Sequence, residues 1–361
     1  MLRRVSATGS VALLAAIAIG CGSTGGTDSV ATAPDDPNAE VSGTLRVFAY
    51  EDSVRPEMID PVEKANPGLD IETATFDSNE EAAAKLAGGF EADVVEICLD
   101  EMKPLVDQQL IRPLDVDGLV HWDDLNYTKA EGIVIDGQVY GVPLSAGLEG
   151  LVYNPEEVPG GIDENSDLWE PQFAGRSTIQ GGYALIPIAT AALALGIEDP
   201  MNMSPEDLDR TKQYLLDNAD QFRTLWGSDS DLVNLFKSGE VVVASAGPQL
   251  QQRIVDAGAP AEWSPAKDGT LSWVCGFALT SNAENIPAAY ALMNWQSSPE
   301  AQAIRAEDGY LITNRKALDL APESYEKTSG VDYADDAIPE TYPPDYRPDW
   351  IDAFKEFKAN G

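Results

Sequence analysis

The sequence predicts an α/β protein. Segments of strand and helix character alternate along the chain, which is the pattern that helices layered on a largely parallel sheet produce. One strand candidate, Asp93-Val94-Val95-Glu96-Ile97-Cys98, is mostly apolar, as a strand buried on both faces must be. The chain has 361 residues, 43% of them hydrophobic. From about Thr44 onward that is length for two domains and apolar content for a core in each.

The elements follow in order. Residues 44–50 read as a strand. Residues 56–65 read as a helix with Met58, Ile59 and Val62 on one stripe. A second strand covers 69–76, and a helix over 79–87 is stopped by Gly88-Gly89. The strand at 93–98 comes next, then a helix over 105–110 that leads into an extended 111–114. Residues 138–143 and 150–154 are extended. A second α/β unit begins with helices over 183–195 and 205–218, the latter with Ser204 as its cap. A helix over 231–237, a strand over 240–244 and a helix over 249–256 continue it. A long extended run spans 271–280, and helices follow over 286–295 and 299–307. Residues 321–348 are loop-rich with Pro and Tyr, and a helix over 350–358 closes the chain. No internal repeat is evident.

The N-terminus carries an export signal. Arg3 and Arg4 precede an apolar run over 11–20 that is too short to span a bilayer. The run ends in Ala18-Ile19-Gly20 before Cys21. This resembles the lipobox of bacterial lipoproteins, in which the Cys thiol is lipidated and the chain is cut before it. Ala18 departs from the Leu usual there. The expectation is a removed signal peptide over 1–20, a lipid on Cys21, and a flexible tether over 21–43 built of Gly, Ser, Thr, Asp and Pro, with an ordinary signal peptide and an incidental Cys as the alternative. The protein would sit in the periplasm or on the outer face of the cytoplasmic membrane. Export permits disulfides. Cys98 and Cys275 each lie on an apolar strand-like run. Their pairing is the expectation, and two buried thiols the alternative.

The formal net charge is −38. Such a surface repels phosphate backbones, so nucleic acid is not a partner. No long acidic block is present. A solvated acidic surface accounts for most of the charge, since a cation pocket needs only a few carboxylates.

Several stretches carry a family resemblance. They are Asp167-Leu168-Trp169-Glu170-Pro171-Gln172-Phe173-Ala174-Gly175-Arg176, Tyr140-Gly141-Val142-Pro143 with Tyr153-Asn154, and residues 289–301 with Gly309-Tyr310 and Thr313-Asn314. In order and spacing, from about Thr44 to near the C-terminus, the chain resembles the spermidine/putrescine-type solute-binding proteins of ABC importers. Residues 93–98 and Trp273-Val274-Cys275-Gly276 resemble a branch of that family with Cys at both places. The resemblance implies a two-lobed periplasmic-binding-protein fold with interdomain crossing strands and a central ligand cleft. Lobe one would be 44–142 plus 273–312, and lobe two 143–272 plus 313–361. Ligand would hold the lobes closed, and the closed form would dock on permease subunits. The protein would be a monomer that needs no cofactor.

The resemblance also implies site residues. Tyr50 falls at a stacking position, Asp52 at an acidic one, and Glu51 lies between them. Trp273 and Tyr310 match pocket aromatics, and Ser228 and Asp229 lie in a loop that supplies a polar contact. Three positions depart. Cys275 stands where the family has its main ammonium-binding Asp, Gly181-Gly182-Tyr183 replaces an acidic loop, and Ser245-Ala246-Gly247 replaces a Trp. Glu96, Asp100 and Glu149 are acids that could stand in, although by sequence each reads first as surface charge or a helix cap. Apart from the resemblance, Tyr50 and Trp273 read as core edges. The implied ligand is a polyamine or related amine, held by spaced carboxylates and aromatic walls. A neutral or zwitterionic metabolite is the rival.

Enzymatic chemistry finds little support. The single His, His121, lies in a polar stretch beside Trp122, and no G-x-S-x-G surrounds any Ser. One His and two separated Cys make a poor zinc set. A phosphate-cradling G-x-x-x-x-G-K-[ST] is absent. Iron(III)-binding relatives of the implied architecture use Tyr clusters, and Tyr342 and Tyr346 resemble part of one but lack supporting ligands. Acid pairs for glycoside hydrolysis are available, yet nothing singles one out. An anchored extracellular hydrolase is therefore the lesser alternative.

Overall fold

The computed structural model describes residues 30–341 and 347–360. The expected signal peptide, Cys21, and the tether as far as residue 29 lie outside the described residues, as do Tyr342 and Tyr346. No helix among the described residues is long and apolar enough to cross a membrane.

The first half of the fold grows from strand β1 (Ser42–Ala49). It runs parallel to β2 (Gly68–Thr75), in register from Ser42↔Gly68 to Ala49↔Thr75. Helix α1 (Pro56–Ala65) crosses between them and buries the Met58, Ile59 and Val62 stripe. Helix α2 (Asn79–Ala87) starts where the Ser78 hydroxyl accepts the Glu81 N–H at 3.2 Å. Strand β3 (Val94–Cys98) is buried at every position and runs parallel to β1. Helix α3 occupies Leu99–Asp107, well before the predicted 105–110. Asp100 and Glu101 fall in its first turn, where the partial positive charge of a helix start favours acids. Pro104 inside the helix made the sequence look like a later start. Short strands β4 (Ile111–Arg112), β5 (Val134–Ile135) and β6 (Gln138–Val139) follow.

The stretch predicted at 138–143 divides between β6 and the start of β7 (Val142–Tyr153), and the stretch at 150–154 is the far end of the same β7. Beyond it come β8 (Ser177–Gln180), α4 (Leu185–Ala194), α5 (Pro205–Asp217), β9 (Phe222–Trp226), α6 (Asp229–Ser238), β10 (Val243–Ala246), α7 (Pro248–Asp256) and β11 (Glu262–Ser264). The chain ends with β12 (Leu271–Thr280), α8 (Ile286–Gln296), α9 (Pro299–Glu307), α10 (Tyr325–Ser329), β13 (Ile338–Pro339) and α11 (Arg347–Asn360). Ser204 caps α5 through the Asp207 N–H at 3.1 Å. Strands β8 and β9 were not predicted: Ser-Thr-Ile-Gln and Phe-Arg-Thr-Leu-Trp are short and partly polar. The strand expected at 240–244 starts later, at Val243.

One sheet path runs β2-β1-β3-β12-β7-β10-β8-β9. Strands β7 and β12 lie antiparallel, from Leu271↔Glu149 to Phe277↔Val142. Each is long enough to serve both halves. β12 pairs β3 through Cys275–Leu279, while β7 pairs β10 and β11 near Tyr153. The result is a mixed α/β fold of two domains, linked by crossing strands, with a curled sheet that forms a cleft. Each half-sheet is covered on both faces. Leu45, Val47 and Ala49 of β1 pack on α1 and α8, and Phe48 points the other way toward α2 and α3. That alternation is the period of two of a strand. In the second half, α4, α5 and α11 bury Leu185, Leu208 and Trp350 on one face, and α6 and α7 bury Phe236 and Ile254 on the other.

Cys98 ends β3 and faces Cys275 of β12 in register. Their sulfurs form a disulfide across 177 residues of sequence.

Candidate functional site

A cleft of about 240 Å³ opens between the halves, a size for a small solute. Its walls come from strand ends. Tyr50, Glu51 and Asp52 follow β1, and Glu96 and Cys98 close β3. Gln180 ends β8, Trp226 ends β9, and Ser228 and Asp229 open α6. These are the carboxyl ends of parallel strands, where ligands of open α/β sheets bind. The crossing strands supply Ser145 and Glu149 from β7 and Trp273 and Cys275 from β12. Gln249 and Arg253 of α7, Tyr310, and Glu340 after β13 complete the wall.

All nine residues expected at the ligand site stand on this wall: Tyr50, Glu51, Asp52, Tyr183, Ser228, Asp229, Trp273, Cys275 and Tyr310. Tyr50 is also a core edge. Its ring lies 4.5 Å from that of Phe76, and its hydroxyl donates to Asn79 Oδ1 at 3.0 Å. Trp273 meets Tyr310 edge to face, with centroids 5.9 Å apart at 82°. Gly147 makes room for the indole. A Cβ on Gly147 would come within 2.4 Å of the Trp273 ring.

Two of the expected acids are already ion-paired. Asp52 accepts from Arg305 at 3.2 Å, and Arg305 also donates to Ser53 Oγ and Gln296 Oε1. Asp229 pairs with Arg253 at 2.6 Å, and Arg253 also donates to the Tyr310 hydroxyl at 3.3 Å. Burial still pushes the Asp229 carboxyl up, with Arg253 opposing.

The stand-in acids differ from their first reading as surface charge or helix caps: Glu96, Asp100 and Glu149 are all buried. Their strands and helix are core elements, and sequence does not show which side chain points inward. Glu96 accepts the Tyr50 N–H and the Ser145 hydroxyl, each at 3.2 Å. Burial, with Asp52 adding and Arg305 opposing, raises its carboxyl to about 7. Asp100 lies behind the wall as the acceptor of the Tyr183 hydroxyl. Glu149 lines the cleft, and burial together with Asp229 raises it to about 8.

Sequence reasoning missed Glu340, Gln249, Arg253 and Trp226. Glu340 sits in a loop-rich stretch after Pro339, with no periodicity to mark it. Burial raises its carboxyl well above the usual range, and Asp100 and Glu149 raise it further. Trp226 donates its indole N–H to the Ser245 carbonyl at 3.3 Å, so an indole stands next to the stretch where the family Trp is missing. His121 is half-buried and off the cleft. Among the described residues no group of His, Cys, Asp and Glu could hold a metal ion.

The sequence model for "Bacterial extracellular solute-binding protein" matches residues 57–360. The putrescine/agmatine-binding protein of Pseudomonas aeruginosa is 27% identical over 336 residues, spanning 87% of this chain and 89% of that protein. A putative spermidine/putrescine ABC transporter from Listeria monocytogenes has a solved structure that superposes with a TM-score of 0.78 at 22% identity, covering 88% of this chain and 99% of that one. The PBP MotA from A. tumefaciens B6 in complex with glucopine superposes with a TM-score of 0.75 at 19% identity, covering 88% and 100%.

Proposed function

The chain belongs to the family of bacterial extracellular solute-binding proteins, and from that premise we propose that its solute is a small organic cation, a polyamine or related amine. Family and fold are those of exported binding proteins that serve ABC permeases, not of enzymes. The fold alone does not choose the solute, since MotA holds glucopine in the same architecture. The observation that carries the choice is a set of buried carboxyls on the cleft wall. Glu96, Glu149 and Glu340 are 1%, 8% and 8% exposed. Glu149 and Glu340 have no salt-bridge partner among the described residues. A buried carboxyl ionises only when a charge or donor meets it, and an ammonium group supplies both. The face of Trp273 offers the methylenes and the cation an aromatic wall. The P. aeruginosa relative, by its name, binds such amines.

Closure would follow from contacts that only the closed form makes. Lobe one would comprise 44–142 plus 273–312, and lobe two 143–272 plus 313–361, with β7 and β12 as the hinge region. A monomer tethered through lipid on Cys21 would present the loaded form to its permease.

Thermal unfolding of the purified protein against putrescine, spermidine, monoamines, amino acids and sugars tests the reading. A ligand that binds only the folded state raises the midpoint in a dose-dependent way. Amines should do so. A shift with sugars or acidic solutes and none with any amine would overturn the reading.

A further inference from the structure

The cleft is electrostatically lopsided, and this narrows the solute within the amine reading, on which the inference rests. Glu149 and Glu340 flank the start of β12 from opposite sides. Glu149 of β7 pairs with Leu271 of β12, while β13 pairs Ile338 with Leu271 and Pro339 with Ser272, and the Glu340 N–H donates to the Ser272 carbonyl at 2.7 Å. Both carboxyls turn into the cleft. Oε2 of Glu149 and Oε1 of Glu340 are buried and accept no hydrogen bond from the described residues. A buried acceptor left open is costly, so this end calls for N–H donors that carry charge.

The acids near Arg305 and Arg253, and Glu96, already have partners, although Asp229 still acts on Glu149. Asp52 has Arg305, Asp229 has Arg253, and Glu96 accepts two hydrogen bonds. A second ammonium beside these pairs would meet acids that already hold an arginine and, on the wall, the Arg253 guanidinium itself. The remaining acids, Glu51 and Asp77, are exposed at the mouth, where water and salt screen them. Gln249 adds a buried Oε1 with no hydrogen-bond partner among the described residues, suited to a neutral donor. Trp273 and Tyr310 form the wall beside Arg253.

We infer that the solute is a monocation: one ammonium or guanidinium head between Glu149 and Glu340, a short apolar stem along Trp273, and an uncharged polar end toward the Asp52–Arg305 and Asp229–Arg253 pairs. Neither a diamine nor a zwitterion meets that charge layout.

Isothermal titration with three four-carbon probes of equal length tests it: 4-amino-1-butanol, putrescine and 4-aminobutyrate. The expected order puts aminobutanol at least level with putrescine and above aminobutyrate. Glu149→Gln and Glu340→Gln should each weaken aminobutanol by about tenfold or more, the loss of one charged hydrogen bond, with the melting temperature of each variant showing that it folds. Putrescine or aminobutyrate binding more than about tenfold tighter than aminobutanol, a scale set by one charged contact, overturns the inference and leaves the amine reading standing. Unchanged affinity in both folded variants also overturns it. Absence of binding by every amine removes both.

Discussion

At the scale of single residues, burial decides what each acid does. The carboxyls of Glu96 and Glu149, raised to about 7 and about 8, hold their protons in the folded chain where the unfolded chain has lost them. Stability from this source is full below the ordinary carboxyl pKa and is lost as pH rises through the folded values. The ligand-free melting temperature should therefore fall between about pH 5 and pH 8. Glu149→Gln should flatten that fall, and an unchanged slope would refute the role. A bound cation favours the ionised acids, so the thermal shift from an amine should grow over the same range. Gly147 gives a second residue-scale expectation. With a Cβ reaching within 2.4 Å of the Trp273 ring, Gly147→Ala should cost about 1–3 kcal/mol by overpacking and displace the indole. Urea unfolding and ligand titration on the same variant would read both effects. Trp273→Ala should weaken binding strongly with little loss of fold. Tyr50 and Trp273 were legible only through the family resemblance. Glu340 was not legible at all, because a loop acid acquires a role only from what the fold places around it.

At the scale of elements, the helices with clear stripes and caps were the readable ones. α1 and α2 occupy their expected residues because Met58, Ile59 and Val62 share a face and Ser78 accepts the Glu81 N–H. β8 and β9 were missed since four or five partly polar residues show no period of their own; neighbouring strands make them strands. β7 looked like separate extended pieces because Ser145-Ala146-Gly147 has small residues and little β propensity. Pairing with β12 makes it continuous. The Cys98–Cys275 bond ties β3 to β12 across 177 residues. In the chain-entropy account a loop of that length is worth roughly 5 kcal/mol. Replacing both cysteines by serine should lower unfolding stability by about 2–5 kcal/mol, measured by denaturant titration under oxidising conditions. Equal stability of the variant and the parent would show that the bond contributes nothing.

At the scale of the whole molecule, two domains linked by crossing strands form a cleft, and the proposed closure around a solute has a direct readout. Small-angle scattering should show a smaller radius of gyration once a binding amine is added, and an unchanged radius at saturation would rule closure out. Cys21→Ala should move the protein from the membrane to the soluble fraction, and continued membrane retention would sink the lipid tether. Acidity and the α/β class are local or additive properties, so the sequence by itself determined them, whereas the two-domain plan was legible through the family resemblance. Charge totals and strand–helix alternation do not depend on what packs where. The tertiary structure alone decided which carboxyls are buried, which already hold an arginine, and which remain open. Those properties arise between residues as far apart as Glu149 and Glu340, through desolvation and pairing that exist only once the chain has folded.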